Sequence, residues 1–470
     1  MIISDIAEGV TRSVSGVTDT VAGFFVDPVI RLGVTGLSRA GKTVFITSLV
    51  ANLLDRGRMP QLVAAANGSI QTAYLQPQPD DTVPRFEFED HLMAMTGTSP
   101  RWPDSTRAVS ELRLSLKVQP QGLFGALGGP KTVHLDIIDY PGEWLLDLSL
   151  LDKDFRTWSR ETLARMEKRD FAAEYLAAVA KVSAKTSYAE PQVQDLARTF
   201  TTYLKDARSR GFSDCTPGRF LLPGDLEGSP VLTFAPMDAS GAARRTIARE
   251  MERRFEAYKA KVVRPFFRDH FARLDRQVVL VDVLGAIHDG PRAVEDLRQT
   301  MADILGAFRP GRNAFLSQLL LGKRVDRILF AATKADHLHH EQHGRLTAIM
   351  DALTREARDR AQFAGAETQA VSLAALRTTT EDRLDHGGRQ IAAVTGMLAS
   401  GKRAAFYPGE LPTDASRILA PAREGAEDWP FGDVQVQSFV PPVQDIAPGD
   451  GPPHIRLDKA AEFLIGDRLR

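Results

Sequence analysis

"GVTGLSRAGKTVFITSLV", residues 33–50, is the stretch whose reading decides the fold. Its centre, Gly36-Leu37-Ser38-Arg39-Ala40-Gly41-Lys42-Thr43, sets glycines around a tight turn and ends in a lysine and a threonine. Such a turn converges backbone N–H groups on one point, where they hold a β-phosphate; the lysine neutralises β and γ oxygens and the threonine hydroxyl ligates Mg²⁺. The flanks fit: "PVIRLGVTG" reads as a buried strand and "VFITSLVANLLDR" as a helix with an apolar face. Gly36, Ser38, Arg39, Ala40, Gly41, Lys42, Thr43 and Val44 are therefore the candidate phosphate-binding residues. A second match to the pattern, Gly396 to Arg403, lacks the Ser/Thr metal ligand and runs into "AAFYPGELP", whose prolines forbid a following helix. It is set aside.

A phosphate loop alone leaves kinases, ATPases and GTPases open, so the nucleotide must be read further along. "ILFAATKAD" is an apolar strand ending in Thr333-Lys334-Ala335-Asp336. A carboxylate edge-on to the base accepts two hydrogen bonds from the N1–H and amine of guanine, whereas adenine has an unprotonated N1 and leaves it unsatisfied. That selects guanine. Mg²⁺ further needs an acidic residue at the end of a strand beside the loop. "TVHLDIIDYPGEW" offers Asp139 with Gly142, and "QVVLVDVLGAIHDG" offers Asp282 with Gly285. In a Ras-type domain one further strand separates the metal aspartate from the base-recognition strand, and after Asp282 only a helical pattern precedes Thr333. Asp139 is therefore the metal-side aspartate, and Asp282 has a structural role. After "GAETQAVSLAALR", whose strand ends near Ser372, the backbone around Leu373 and Ala374 either caps the guanine oxygen or is a plain strand end, so Ser372 and Leu373 join the base-site candidates. The switch threonine that completes the metal shell is assigned to Thr106, with Ser105 and Thr98 as fallbacks.

The order GLSRAGKT, DYPGEW, VDVLGA, TKAD resembles the bacterial YcjX family of Ras-like GTPases, over most of the chain. The resemblance implies a cytosolic nucleotide-binding protein linked to envelope stress, with GTP or GDP and Mg²⁺ as ligands and an inner-membrane protein as partner. The residues alone agree on compartment. A single cysteine, Cys215, excludes an internal disulfide framework, no secretory leader is read at the N-terminus, and no window of about twenty apolar residues spans a membrane. The 59 basic and 60 acidic residues leave a net charge of -1, which speaks against a nucleic-acid partner.

At 470 residues the chain is longer than one core usually grows. We expect an α/β, Ras-like P-loop NTPase domain with a large helical insertion and a Pro/Gly-rich C-terminal elaboration. Residues 1–27 read as an amphipathic helix, docked on the body or resting peripherally on a membrane. Residues 28–143 hold the phosphate loop and switch regions, 144–277 the helical insertion, 278–380 base recognition, 381–453 an irregular elaboration and 454–470 a closing helix. The insertion shows two apolar stripes at helical spacing, one from Phe155 to Val182 and one from Ile247 to Phe266. Cations around the second, from Arg244 to Arg268, read as a solvated face or as a docking face for acidic lipid or protein. His337, His339 and His340, without a spaced second cluster, read as an exposed helix start.

For hydrolysis, Lys42, Mg²⁺ and backbone donors would hold the γ-phosphate charge while water attacks in line. The residue after Asp-x-x-Gly, where Ras-like proteins place a glutamine that orients the water, is Glu143, next to Gly142. A carboxylate there is repelled by the phosphate, so it either points away or waits for a partner. Arg39 either supplies charge in cis or sits in solvent. Slow intrinsic turnover is the expectation; an ATP-using stress ATPase and a binding scaffold without turnover are the alternatives.

Overall fold

The computed structural model describes residues 27–36, 40–104, 108–120, 129–269, 273–306, 325–363, 365–386 and 388–470. The expected N-terminal helix lies almost wholly outside the described residues, as do Ser38, Arg39, Ser105 and Thr106.

"VIRLGVTG" forms strand β1 (Val29–Gly36), and "KTVFITSLVANLL" forms helix α1 (Lys42–Leu54) directly after the glycine-rich loop. Six more strands flank β1: β2 (Ile70–Gln76), β3 (Ser110–Val118), β4 (Lys131–Asp139), β5 (Arg276–Val281), β6 (Arg327–Ala332) and β7 (Glu367–Ser372). Their order is β2-β3-β4-β1-β5-β6-β7. β4, β1, β5, β6 and β7 pair in parallel, and β3 and β2 join antiparallel at one edge. The strand expected between Asp139 and Thr333 is β5, with Asp282 just past its end.

Both faces of this sheet are covered, so β5 reads as the unbroken apolar run of a buried parallel strand. Val278 and Leu280 join one core with Phe45 and Leu49 of α1 and with Leu464 near the C-terminus. Val279 and Val281 join the other, with Trp158, Phe200 and Phe255. That second core draws on the chain between β4 and β5, where the described residues contain no strand, and also on residues further along such as Leu297, Phe330, Ile349 and Trp429. The segment between β4 and β5 includes α2 (Gly142–Leu146), α3 (Phe155–Met166), α4 (Glu190–Ser209) and α5 (Ile247–Tyr258). Asp154 caps α3 by accepting the Thr157 N–H at 2.7 Å. Trp158 stacks on Phe255, with ring centroids 5.0 Å apart. Around the second stripe, Arg249 pairs with Glu252, Arg253 with Glu250, Arg254 with Glu190 and Lys259 with Glu256, so local carboxylates match much of the cationic excess.

The C-terminal segment departs from expectation. Residues 381–453 are only partly irregular: β8 (Thr379–His386), β9 (Arg389–Leu398), β10 (Arg403–Phe406) and β11 (Phe439–Val440) form a second, antiparallel sheet. The discarded Gly396–Arg403 match is the β9–β10 hairpin. A strand such as "TTEDRLDH" is largely solvated and carries no apolar alternation, which hid it. Beyond this sheet, helix α6 (Leu457–Ile465) packs back on the main one against β5 and β6. Buried Arg276 of β5 fixes it by donating to the Leu464 carbonyl at 3.0 Å and to Asp467 at 2.8 Å. Among the described residues, no helix is long and apolar enough to cross a membrane.

Candidate functional site

The loop after β1 turns because two glycines let it. A β-carbon on Gly36 would meet the Leu280 carbonyl oxygen at 3.0 Å, so only glycine lets β1 run this close to β5. Gly41 has φ of 80°, the left-handed region, and hands the chain to α1. The start of α1 has no side-chain cap and no acidic residue in its first turn. Its N–H groups and dipole are thus left to an outside anion. Lys42 and Thr43 stand at that end. In the β1–β4 register Asp139 lies opposite Val34, near the loop, and it is buried. A hydroxyl and a carboxylate are hard oxygen donors of the kind Mg²⁺ takes, so Thr43 and Asp139 fit that ion.

One cleft of about 550 Å³ is lined by Ala40, Gly41, Lys42, Thr43 and Val44 and also by Thr333, Lys334 and Asp336. The fold therefore brings the phosphate-loop and base-recognition candidates together. Asp336 is 4% exposed, and its Oδ2 accepts from both the Thr378 N–H (2.8 Å) and the Thr378 hydroxyl (2.7 Å). Those two bonds fix the carboxylate plane; among the described residues its Oδ1 accepts none. Lys334, at φ of 60°, pairs with Asp282. Asp282 also accepts the Gly285 N–H at 2.9 Å and so starts the short helix Val283–His288.

Ser372 and Leu373 do not line the cleft. The Leu373 N–H donates to the Ala332 carbonyl at 2.8 Å, the Ala374 N–H donates to Ile455, and Ser372 is tied to His343 and Thr347. Of the stretch expected to cap the base, Ala374 lines the cleft, together with Ala375 and Leu376. The sequence reading also missed Thr378, Phe439 and Trp102. The Trp102 indole N–H donates to the Phe439 carbonyl at 2.8 Å, so the segment before Thr106 is tied to the second sheet across the cleft. Thr98, the remaining fallback, is not among the lining residues.

Glu143 lines a neighbouring pocket of about 540 Å³, which shares Lys334 and Ser438 with the cleft. It is buried on α2 and pairs with Arg208 of α4 at 2.6 Å. The adjoining Asp147 is also buried, where Gly218 N–H (2.7 Å) and the Tyr258 hydroxyl (2.5 Å) donate to it. Burial pushes its carboxyl from 3.8 up to about 6, against those bonds. Such a shift is worth roughly 3 kcal/mol. The folded chain holds this proton more tightly, so the associated stability is full below the unfolded value and is lost as pH rises through about 6. Asp147→Asn should flatten that part of the denaturation-midpoint profile and melt above wild type at neutral pH. An unchanged slope would show that another group titrates.

A mostly parallel sheet with the Gly36–Thr43 loop at the end of its central strand is the architecture of a P-loop nucleotide-binding protein. The model of the YcjX-like family, DUF463, matches residues 30–469. The chain is 37% identical over 462 residues to the "Ras-like GTPase YcjX" of Escherichia coli (strain K12), covering 95% of this chain and 97% of that one. It is 32% identical over 470 residues to the protein of the same name from Shewanella oneidensis, covering 94% and 95%. The chain belongs to the YcjX-like family.

Proposed function

We propose that this chain binds GTP and GDP with Mg²⁺ and hydrolyses GTP slowly, acting as a switch. The observation that carries the reading is the single cleft shared by Lys42 and Thr43 at one end and Asp336, braced by Thr378, at the other. The names of the two relatives agree with it. In this reading Gly36, Ser38, Arg39, Ala40, Gly41, Lys42 and Val44 hold the phosphates, Thr43, Asp139 and Thr106 the metal, and Thr333, Lys334 and Asp336 the base. The guanine oxygen is met near Ala375 rather than by Ser372 or Leu373. Residues 144–277 act as an inserted effector, since α2 follows Asp139 directly and reaches α4 through Glu143 and Arg208. A cytoplasmic site of action, a bacterial stress role and an inner-membrane partner belong to this proposal on the strength of the family resemblance.

Slow turnover follows from Glu143. A carboxylate stands where a water-orienting amide would serve, and Arg208 holds it in the neighbouring pocket. The same pair favours a second reading, a nucleotide binder without turnover, and a phosphate-release assay with GTP separates the two. The primary test is calorimetric binding of GTP, GDP and ATP in Mg²⁺ to wild type and to Asp336→Ala. Guanine preference in wild type, reduced about a hundredfold in the variant, is the expected result, matching two lost hydrogen bonds to a charged group. ATP binding as tight as GTP and untouched by the change would return the loop to an ATPase.

A further inference from the structure

The histidine run after Asp336 does not end in an ordinary exposed helix start. Ligand atoms of His339, His340 and Glu341 all lie within 4.8 Å of one another. The fold adds a group from far along the chain: Glu381 of β8, 41 residues beyond His340, places Oε2 2.7 Å from His340 Nδ1 and 3.8 Å from His339 Nε2. A tetrahedral Zn²⁺ with bonds near 2.0–2.1 Å holds its ligand atoms about 3.4 Å apart. The two observed separations bracket that value. Glu341 closes on the other side of His339, whose Nδ1 accepts the Glu341 backbone N–H at 3.5 Å and lies 3.9 Å from Glu341 Oε1. His339 is buried and its ring centroid is 4.3 Å from that of exposed His340. Arg383 pairs with Glu341 rather than with Glu381.

We propose that His339 Nε2, His340 Nδ1 and Glu381 Oε2 bind a divalent transition-metal ion of the zinc class, with one position left open. Two imidazoles and a carboxylate favour that class over Mg²⁺, which takes oxygen donors. The site would brace base recognition. Residues 336–340 and 378–381 are the two segments it joins, and between them lie the Thr378–Asp336 bonds and the Thr379 hydroxyl bond to the Asp336 carbonyl. This second consequence rests on the guanine reading; metal binding itself does not.

Full-length protein stripped with a chelator and titrated with Zn²⁺ alone, without nucleotide, should take up one equivalent with micromolar affinity or better. His340→Ala, at an exposed position, and Glu381→Gln should each weaken uptake at least tenfold. No saturable uptake by wild type, or equal uptake by both variants, overturns the site. A parallel GDP titration with and without Zn²⁺ tests the bracing: at least a threefold tighter affinity with Zn²⁺ in wild type, absent in the variants, is expected. Zn²⁺ uptake with GDP affinity unchanged overturns the bracing, and Zn²⁺ uptake in a chain that binds no guanine nucleotide supports the site while sinking the guanine reading.

Discussion

Lys42→Ala should lower the affinity for GDP and GTP by about a thousandfold while leaving the melting temperature within a degree or two of wild type. The size follows from the role. An ammonium donating to β and γ oxygens makes two charge-assisted hydrogen bonds of about 2 kcal/mol each, and about 4 kcal/mol is a factor near a thousand. The neutrality toward stability follows from the structure. Lys42 sits partly exposed at the uncapped start of α1, and among the described residues no salt bridge engages it. Its removal leaves no partner stranded. Calorimetry with each nucleotide and a denaturant melt of the same preparation check both halves. A variant that binds GDP like wild type would mean that the glycine-rich turn does not hold phosphate. A variant that fails to fold would instead assign the lysine a structural place.

The parts of the site that could be read in advance are those built by neighbours in sequence. Strand, turn and helix around Gly36–Thr43 are local, and a buried parallel strand announces itself by an unbroken apolar run, so β1, β5 and β6 and the loops at their ends were legible. Counting those strands put Asp139 at the end of β4 and Asp282 just past β5, one strand before Thr333. What escaped arrives by long-range contact. Thr378 meets Asp336 across 42 residues, and Phe439 meets Trp102 across 337. Neither threonine nor phenylalanine carries a local signature of such a task. The salt bridge from Glu143 to Arg208 was hidden likewise, because it depends on how α4 lies against α2. The stretch expected to cap the guanine is a partial case, since Ala374 lines the cleft and Ser372 and Leu373 do not. The end of β7 was read correctly, yet its terminal N–H groups serve the ladder to β6 and to Ile455, so the chain reaches the cleft only from Ala374 onward.

Gly218→Ala should be among the most damaging small substitutions in the chain. A β-carbon there would stand 1.8 Å from the carbonyl oxygen of Glu143 and 3.0 Å from its Cβ. Because the obstacle is backbone, no side chain can rotate away, and the cost should reach the upper end of the overpacking range, about 3 kcal/mol. More than packing is lost. The Gly218 N–H donates to Asp147, the Arg219 guanidinium lies 3.1 Å over the Trp144 ring, and the Trp144 indole donates to the Leu222 carbonyl at 3.0 Å. All three contacts pin residues 144–147, immediately after the DYPGE turn, to the helical stretch. Gly344→Ala is the matched control, on an exposed helical turn where a β-carbon meets nothing within 4 Å; there alanine should be neutral or stabilise by about 0.5 kcal/mol. The expected result is a melting point lowered by several degrees in Gly218→Ala alone, together with weaker GDP binding, since the clash displaces the segment that follows Asp139. A Gly218→Ala protein that melts and binds like the control would show that residues 142–147 can move without the helices. Nucleotide state would then have no packed route into them, and the proposed coupling would have to run through the Trp102–Phe439 contact instead.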